Sequence, residues 1–256
     1  MKVTRIIQGA PCWTQLGTTD PSDAARFYGN LFGWTAETDP RPEAGGYTIF
    51  SLNGEPAAAV APLMDPRQPV RWLLAFATDD VDESTAVAQK AGAQVWMGPM
   101  DVFEQGRWAL LSDPTGAAYS LWQPREFKGF GVVDEPGAFG WADGSTRDVP
   151  GSLKFYTDTL GWEVTPSAEY PMVGKAGSMF GGIMAMGDMF PPEMPAHWNP
   201  FFVAADVDAA AAKARELGGE VVHGPEDVQM ENGPRIAVVR DPQGAVFGIC
   251  TQPQHS

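Results

Sequence analysis

A long internal repeat constrains this chain more than any other feature of its sequence. Residues 11–34, PCWTQLGTTDPSDAARFYGNLFGW, recur as residues 139–162, FGWADGSTRDVPGSLKFYTDTLGW, at an offset of 128 (141 minus 13). A second block, residues 80–102, matches residues 206–228 at an offset of 126, and the offset returns to 128 between DPTGA at Asp113 and DPQGA at Asp241. Self-similarity of this length is typical of a duplicated structural unit.

The length of 256 residues allows two ordinary domains, each with its own core. We predict a first module over residues 1–124 and a second over residues 137–256. Between them, residues 125–136 are rich in proline, glycine and charge, which is typical of a linker.

Local signals give the elements of each module. Asp20 is predicted to cap a helix that contains Pro21 in its first turn and ends at Gly33. A second helix is predicted to open at Asp82, and its counterpart at Asp208. Short apolar runs such as WLLAFAT and RIAVVR are typical of buried strands. The predicted fold class is therefore α+β, with two βαβββ units in each module and four in the chain.

The charge balance excludes several classes of partner. The formal net charge is -15, from 32 acidic and 17 basic residues, so the surface repels nucleic acid and anionic lipid. No run reaches the roughly 18 to 20 apolar residues of a membrane span, and the first residues hold no signal-peptide core. We predict a cytoplasmic protein. Cys12 and Cys250 have no CxxC pairing and are predicted to be packed free thiols.

Several motifs together resemble those of a known family. These are the helix ends FYGNLFGW and FYTDTLGW, the helices DVDESTAVAQKAGA and DVDAAAAKARELGG, the two GP turns, and DPTGA and DPQGA before the last strands. Each copy resembles a module of the vicinal oxygen chelate superfamily, which includes glyoxalases, bleomycin-resistance proteins and extradiol dioxygenases. The two-module form, with PCW near the start and LWQP closing copy one, is similar to actinobacterial proteins often found beside antibiotic biosynthesis genes. The resemblance implies two curved-sheet half-barrels, each enclosing a cup.

The resemblance also implies where a divalent metal would be bound. The ligand places correspond to Trp13, Leu73 and Ser120 in copy one and to Trp141, Asn199 and Gly248 in copy two. A catalytic divalent site needs about three side chains with N or O lone pairs, and indole offers none. We therefore predict no metal and no cofactor. The three histidines do not replace the ligands: His255 is in the tail, His223 precedes a GP turn, and His197, the most plausible of them, lies in a proline-rich loop.

The cup walls are predicted to be aromatic. The resemblance places Trp13 and Trp141 toward the cavity, and strand alternation directs Gln15, Trp122, Asp143 and Cys250 the same way. Most of the nine tryptophans are nevertheless expected in the core. Arg107 and Arg235 are equivalent in the repeat. Each is expected either to contact the ligand or to form a salt bridge at a strand end. The predicted ligand-binding residues are Trp13, Gln15, Trp72, Trp122, Trp141, Asp143, Asn199, Arg107 and Arg235.

Three functions are compatible with this sequence. The first is a metal-independent binding or accessory protein for a small planar hydrophobic molecule, such as an antibiotic or its precursor. The second is a metal-free enzyme acting on an aromatic or polyketide-like substrate. The third is a metal-dependent dioxygenase, lyase or isomerase with ligands at unpredicted places. The acid–base candidates for the second are Asp101, Asp143, Asp227 and His197. A monomer is sufficient for any of these, and a homodimer remains open.

Overall fold

Each copy of the repeat folds into one eight-stranded mixed sheet. The computed structural model describes residues 1–167, 169–188, 190–229 and 233–251. The first module contains β1 (Pro11–Thr18), α1 (Pro21–Phe32), β2 (Thr35–Thr38), a short 3-10 turn (Pro42–Ala44), β3 (Thr48–Leu52), β4 (Glu55–Pro62), β5 (Arg71–Ala77), α2 (Val81–Lys90), β6 (Gln94–Val102), β7 (Gly106–Ser112) and β8 (Ala118–Pro124). The second contains β9 (Phe139–Thr146), α3 (Val149–Leu160), β10 (Glu163–Thr165), β11 (Met172–Lys175), β12 (Ser178–Ala185), β13 (His197–Val203), α4 (Val207–Glu216), β14 (Glu220–Asp227), β15 (Arg235–Arg240) and β16 (Val246–Cys250).

The strand order confirms the tandem α+β fold with four βαβββ units. The first sheet runs β2-β3-β4-β1-β5-β8-β7-β6, and the second repeats the order as β10-β11-β12-β9-β13-β16-β15-β14. The first strands of the two units pair antiparallel at the centre, as β1 does with β5 and β9 with β13. Each half of a sheet is therefore one βαβββ unit.

The helix boundaries agree with the sequence signals in part. The Asp20 carboxylate accepts the Asp23 N–H at 2.9 Å, and Gly33 ends α1 in the left-handed conformation at φ 75°. The helices α2 and α4 begin earlier than predicted, because Asp80 and Asp206 provide their caps. The predicted opening residues Asp82 and Asp208 lie in the first turn instead.

The helix-bearing faces of the two sheets pack against each other. One core cluster joins residues of α1 and the first module to residues of β13, α4 and β15 in the second, and another joins α2 to α3. Trp34 Nε1 donates to the Gly137 carbonyl at 2.7 Å, and its repeat equivalent Trp162 donates to Gly9 at 2.6 Å. In each module a tryptophan thus binds the backbone just before the first strand of the other module, and the two modules are interlocked.

The opposite, helix-free face of each sheet forms a cup. Alternation along β5 sends Trp72, Leu74 and Phe76 into the helix-side core, so Arg71, Leu73 and Ala75 face the other way. We call the concave faces cup 1 and cup 2. Cup 1 includes Trp13, Gln15, Arg71, Leu73, Ala75, Ser120 and Trp122, and cup 2 includes Trp141, Asp143, His197, Asn199, Phe201, Gly248 and Cys250.

The segment between the modules is packed rather than free. β8 ends at Pro124 and β9 begins at Phe139, and the intervening residues Phe127 and Phe130 both contact the Trp13 ring. No helix within the described ranges is long and apolar enough to cross a membrane.

Candidate functional site: two unequal cups

A chain of three hydrogen-bonded side chains crosses cup 2. Trp141 Nε1 donates to Tyr170 Oη at 2.8 Å, and Tyr170 Oη donates to Asp143 Oδ1 at 2.6 Å. The Tyr170 ring lies directly over Gly182, where a Cβ atom would come within 2.2 Å of it. The missing side chain at Gly182 therefore makes room for the tyrosine that orients the carboxylate.

The electrostatics of this network favour a carboxyl group that titrates near neutrality. Burial among apolar walls raises the pKa of Asp143 to about 7, against a smaller lowering by the Tyr170 hydrogen bond. Burial, and then the charge of Asp143, raise the pKa of Tyr170 well above its ordinary value. Tyr170 thus keeps its proton as the donor, and Asp143 is the group that gains or loses one.

Two polar groups in cup 2 have no protein partner among the described residues. Asn199 lies directly opposite Asp143 in the β9–β13 pairing, and its amide makes no hydrogen bond to a described residue. The second carboxylate oxygen of Asp143 likewise accepts nothing beyond the Tyr170 bond at Oδ1. Both side chains are half-buried, so an amide and a carboxyl oxygen face the same partly dry space. Such groups are what fixes the orientation of a bound small molecule.

The family's metal positions do not form a metal site here. In cup 2 they hold an indole at Trp141, an amide at Asn199 and no side chain at Gly248. The Phe201 ring fills the third place, because a Cβ atom at Gly248 would lie 2.1 Å from it. In cup 1 the same places hold an indole, an isobutyl group and a hydroxyl. No cluster of three or more His, Cys, Asp or Glu side chains with metal-binding geometry occurs in the described part of the chain. These residues do not fit a divalent ion.

Cup 1 repeats the network but is filled by its own aromatic side chains. Trp13 Nε1 donates to Tyr47 Oη at 2.9 Å, and Tyr47 Oη is 3.5 Å from Gln15 Oε1. Phe127 packs edge-on against Trp13 with ring centroids 4.8 Å apart, and its carbonyl accepts from Trp122 Nε1 at 3.1 Å. Trp13 is left only 5 % exposed. The base of cup 1 is thereby closed, and a neutral amide stands where cup 2 has its carboxyl group.

Three predicted ligand-binding residues lie away from both cups. Trp72 is buried on the helix side of the sheet, where its Nε1 donates to Tyr28 Oη at 3.1 Å. Arg107 binds Asp82 at 2.7 Å and Asp101 at 3.1 Å, and Arg235 binds Asp208 at 2.5 Å and Asp227 at 3.2 Å. The salt-bridge alternative describes both arginines, each of which joins a helix start to a hairpin.

These ion pairs also determine the positions of two acid–base candidates. Asp101 and Asp227 are exposed partners of the two arginines and lie outside the cups. Arg107 lowers the pKa of Asp101, so this carboxylate stays ionised near neutral pH. Of the carboxylates proposed from the sequence, Asp143 alone lies in a cup.

The histidines differ in their surroundings. His197 lies at the rim of cup 2, where Nδ1 is 3.0 Å from the Pro195 carbonyl oxygen, and burial lowers its pKa. His223 Nε2 is 2.8 Å from Glu226 Oε1 on the exposed strand β14. His255 lies outside the described residues.

Both cysteines are buried and free, as the sequence predicted. Burial raises the pKa of Cys250, in the floor of cup 2, to about 12, so its thiol stays protonated. Burial also raises the pKa of the Cys12 thiol.

Sequence reasoning missed Tyr47, Tyr170, Phe127 and Phe201. The tyrosines perform the same task in the two cups, but their offset is 123 (170 minus 47), so neither repeat offset pairs them. Phe127 lies within residues 125–136, the segment predicted as a linker, and no sequence signal marked Phe201 as a cup residue. A search that allowed a five-residue deletion in the β2–β3 connection could have paired the tyrosines.

Two clefts lie elsewhere in the molecule. One of about 300 Å³ lies between the modules beside α2 and α3, and another of about 160 Å³ is lined by the first residues of the chain and by β12. Neither is lined by the Asp143 network. The cups are concave faces of the sheets, and cup 2 is distinguished by its half-buried polar groups rather than by an enclosed volume.

Comparisons with known proteins agree with this architecture. Residues 12–121 match the Glyoxalase/Bleomycin resistance protein/Dioxygenase superfamily, and residues 142–250 match a glyoxalase-like domain. The chain is 37 % identical to the putative glyoxylase CFP32 of Mycobacterium tuberculosis over 251 residues, covering 94 % of each protein. It is 35 % identical to the anthracycline biosynthesis protein DnrV of Streptomyces peucetius over 278 residues, covering 96 % of this chain and 94 % of that protein.

Solved structures share the fold at lower identity. The 2,3-dioxygenase LapB from Pseudomonas sp. KL28 superposes with a TM-score of 0.69 at 14 % identity, covering 98 % of this chain and 94 % of LapB. The Mn(II)-bound glyoxalase from Novosphingobium aromaticivorans gives a TM-score of 0.68 at 15 % identity, covering 96 % of this chain and 83 % of that chain. With two matched modules and relatives aligned along nearly its full length, this chain belongs to the glyoxalase/bleomycin resistance/dioxygenase superfamily, as a two-module member similar to actinobacterial proteins.

Proposed function

We propose that this protein binds a small planar, mostly apolar molecule in cup 2 without a metal ion. The observation that carries the proposal is the Asp143–Tyr170–Trp141 network, with the Asn199 amide opposite it making no hydrogen bond to a described residue. Trp141 and Phe201 supply aromatic walls, and the two free polar groups supply direction. The likeness to a protein of anthracycline biosynthesis supports a role in secondary metabolism, because anthracyclines are planar polycyclic aromatics.

Cup 2 is favoured over cup 1 as the binding site for a neutral ligand. In cup 1 the Trp13 indole is buried beneath Phe127, whereas Trp141 is only half-buried. A ligand with a hydroxyl group can donate to Asp143 Oδ2 while its ring lies against the cup wall. In cup 1 the corresponding polar residue, Gln15, already faces Tyr47.

A matched pair of variants tests the site. Chelator-treated protein is titrated with 2-naphthol, a neutral two-ring hydroxyarene, and binding is followed by calorimetry and by thermal unfolding. A bound ligand raises the free energy of unfolding by RT ln(1 + [L]/Kd). We expect binding by the wild type, a loss of about tenfold in Asn199→Ala and in Asp143→Ala, and no change in Gln15→Ala or Leu73→Ala, the counterparts in cup 1. Binding that needs added Mn, Fe, Zn or Ni, or that is lost in the cup 1 variants, would contradict the proposal.

The Asp143 pKa favours a second function, metal-free acid–base catalysis in the same cup. A carboxyl group with a pKa of about 7 is matched to proton transfer at neutral pH, and Tyr170 holds it in one orientation. In this reaction Asp143 takes a proton from a carbon next to a carbonyl group and returns it, so that no co-reactant is needed.

Proton exchange provides the test of this second function. β-Tetralone in D2O is incubated with the protein, and loss of its α-proton signal is followed by NMR. We expect the protein-dependent exchange rate to rise with pH through an apparent pKa of about 7 and to fall by about a hundredfold in Asp143→Asn. Equal rates in Asp143→Asn and wild type would show that cup 2 binds without catalysing this transfer.

A further inference from the structure

Arg71 is a cation at the rim of cup 1, away from the Asp143–Tyr170–Trp141 network of cup 2. It begins β5, pairs with Gly17 of β1, and faces the cup together with Leu73 and Ala75. Its guanidinium lies over the Trp96 ring, 5.5 Å from the ring centroid. Trp96 belongs to β6 at the far edge of the same sheet, so the side chain of Arg71 reaches across the mouth of the cup.

The charge of Arg71 has no counterion among the described residues. Four arginines in the described part of the chain are half-buried, and three of them, Arg107, Arg235 and Arg240, each bind a carboxylate. Arg71 binds none, although the protein has 32 acidic residues and a net charge of -15. A partly desolvated cation without a partner is unfavourable, and here burial lowers the pKa of Arg71. An anion from solution would correct this imbalance.

The surface around Arg71 is apolar and exposed. Trp96, Met100 and Phe103 are 45 %, 44 % and 40 % exposed, unusually high values for such side chains. Arg41 lies over the Phe103 ring at 4.1 Å, which joins the β2–β3 connection to the β6–β7 turn at the cup mouth. The patch therefore combines flat rings with a guanidinium whose in-plane N–H groups make no hydrogen bond to a described residue.

Module 2 shows that the fold does not require this arrangement. At the offset of 126, the counterparts of Arg71 and Trp96 are His197 and Val222, and those of Met100 and Phe103 are Glu226 and Gln229. The same strand positions thus carry a neutral or acidic set in one module and a cationic aromatic set in the other. A feature present in one copy only is explained by a ligand better than by folding.

We propose that the rim of cup 1 is a second binding site, for an aromatic monocarboxylate whose carboxylate pairs with Arg71 and whose ring lies on Trp96 and its exposed neighbours. The planar guanidinium fork matches a carboxylate in a bidentate geometry, and stacking on an indole leaves that fork free. A monoanion is favoured over a phosphate dianion because the protein's net charge repels the second negative charge. The site is separate from cup 2 and does not depend on the function proposed there.

The experiment compares one charged probe with its neutral isostere. Binding of 2-naphthoate and of 2-naphthamide is measured by calorimetry at low salt, in wild type, Arg71→Met, Trp96→Leu and Arg67→Met. Arg67 is the matched control, since it is an exposed arginine four residues away (71 minus 67), paired with Asp65. We expect Arg71→Met to weaken naphthoate binding by about ten- to a hundredfold, Trp96→Leu to weaken it several-fold, and Arg67→Met to leave it within about twofold.

The possible outcomes are distinct. Naphthoate binding that is unchanged in Arg71→Met, equally weakened in Arg67→Met, or matched by naphthamide would overturn the proposal. Trp96→Leu keeps the test valid even if Arg71→Met does not fold. Asn199→Ala, which removes a cup 2 group, should leave rim binding of naphthoate unchanged, so that failure at one cup is distinguishable from failure at the other.

Discussion

Cup 1 and cup 2 are built on the same strands in the same order, yet they differ at nearly every side chain that faces the cavity. Trp and Tyr are shared, as Trp13 with Tyr47 and Trp141 with Tyr170. The third member changes from the amide of Gln15 to the carboxyl group of Asp143, one repeat offset apart (143 minus 15 is 128). Duplication therefore preserved the hydrogen-bond frame while the chemistry at its end diverged.

The two cups also remove the family's metal place by different means. In cup 2 the Phe201 ring lies over Gly248, and in cup 1 the counterparts are the small Ala75 and Ser120, with Trp13 held beneath Phe127. The repeat counterpart of Phe127 is His255 (127 plus 128), which lies outside the described residues. The metal place is thus filled by a strand residue in cup 2 and covered by the segment between the modules in cup 1.

The largest expected loss of stability comes from replacing the Phe201 and Gly248 pair of cup 2 by its counterpart in cup 1. Gly248→Ser forces a side chain into the Phe201 ring and should lower the free energy of unfolding by about 3 kcal/mol. Phe201→Ala should lower it by about 3 kcal/mol through the cavity it leaves. The double variant reproduces the Ala75 and Ser120 pair of cup 1 and should lose at least about 1 kcal/mol less than the sum. Urea unfolding measures all three, and strict additivity would show that the ring and the glycine are not matched.

The next effect comes from opening cup 1. Phe127→Ala removes the ring that covers Trp13 and should destabilise the protein by about 2 kcal/mol, below the usual range for phenylalanine because Phe127 is only half-buried. The exposed Trp13 should then make cup 1 a second site for 2-naphthol in calorimetric titration. Glu126→Ala, an adjacent exposed change, is the control. An unchanged stoichiometry in Phe127→Ala would show that other side chains also close cup 1.

The third test exchanges the end groups of the two networks. The pKa of Asp143 is about 7 in the folded protein and 3.8 in the unfolded reference, so the native state holds the extra proton between these values. The contribution of Asp143 to the free energy of unfolding is therefore largest at about pH 4 and below, and it decreases as the pH rises toward about 7. The loss should be about 2 kcal/mol, less than the whole shift implies, because Asp143 keeps some contact with solvent.

Urea unfolding at about pH 4 and about pH 8 spans the whole of this loss. Asp143→Gln should remove that part of the pH dependence, and Gln15→Asp should add a similar loss at high pH in cup 1. A wild-type slope that Asp143→Gln leaves intact would mean that solvent reaches the carboxylate freely, and the acid–base role would lose its basis.

The sequence predicted the fold well because its evidence was redundant. The repeat offsets, the aspartate caps at Asp20 and Asp148 and the glycine stops at Gly33 and Gly161 all specify the same elements. The site was less predictable. The structure has Asp143 and Trp122 on the faces to which alternation directed them, and Trp13 on the face to which the resemblance assigned it. Trp72 was assigned without any signal for its direction. Tyr170 and Phe127 come from connections whose lengths differ between the copies, and only the folded chain shows what such connections cover.

The smallest expected difference lies where the modules interlock. Tyr28 of α1 donates to Asp241 Oδ2 at 2.9 Å and accepts from Trp72 Nε1 at 3.1 Å, all within the buried core. Its repeat equivalent Tyr156 accepts from Trp198 Nε1 at 2.8 Å. Burial, and then the charge of the nearby Asp113, raise the pKa of Tyr156. Asp113 Oδ2 is nevertheless buried without a hydrogen bond of good geometry in the described structure.

Removing each hydroxyl should therefore have unequal effects. Tyr28→Phe leaves two buried polar groups without a hydrogen-bond partner and should lower the free energy of unfolding by about 2 kcal/mol. Tyr156→Phe leaves only the Trp198 N–H without an acceptor it had before, and should lower the free energy of unfolding by about 1 kcal/mol. Urea unfolding at neutral pH measures the gap of about 1 kcal/mol. Equal losses would mean that Asp113 accepts a hydrogen bond from Tyr156 in solution, as Asp241 does from Tyr28. In that case the two halves of the interface are equivalent, and the asymmetry of the molecule is confined to its cups.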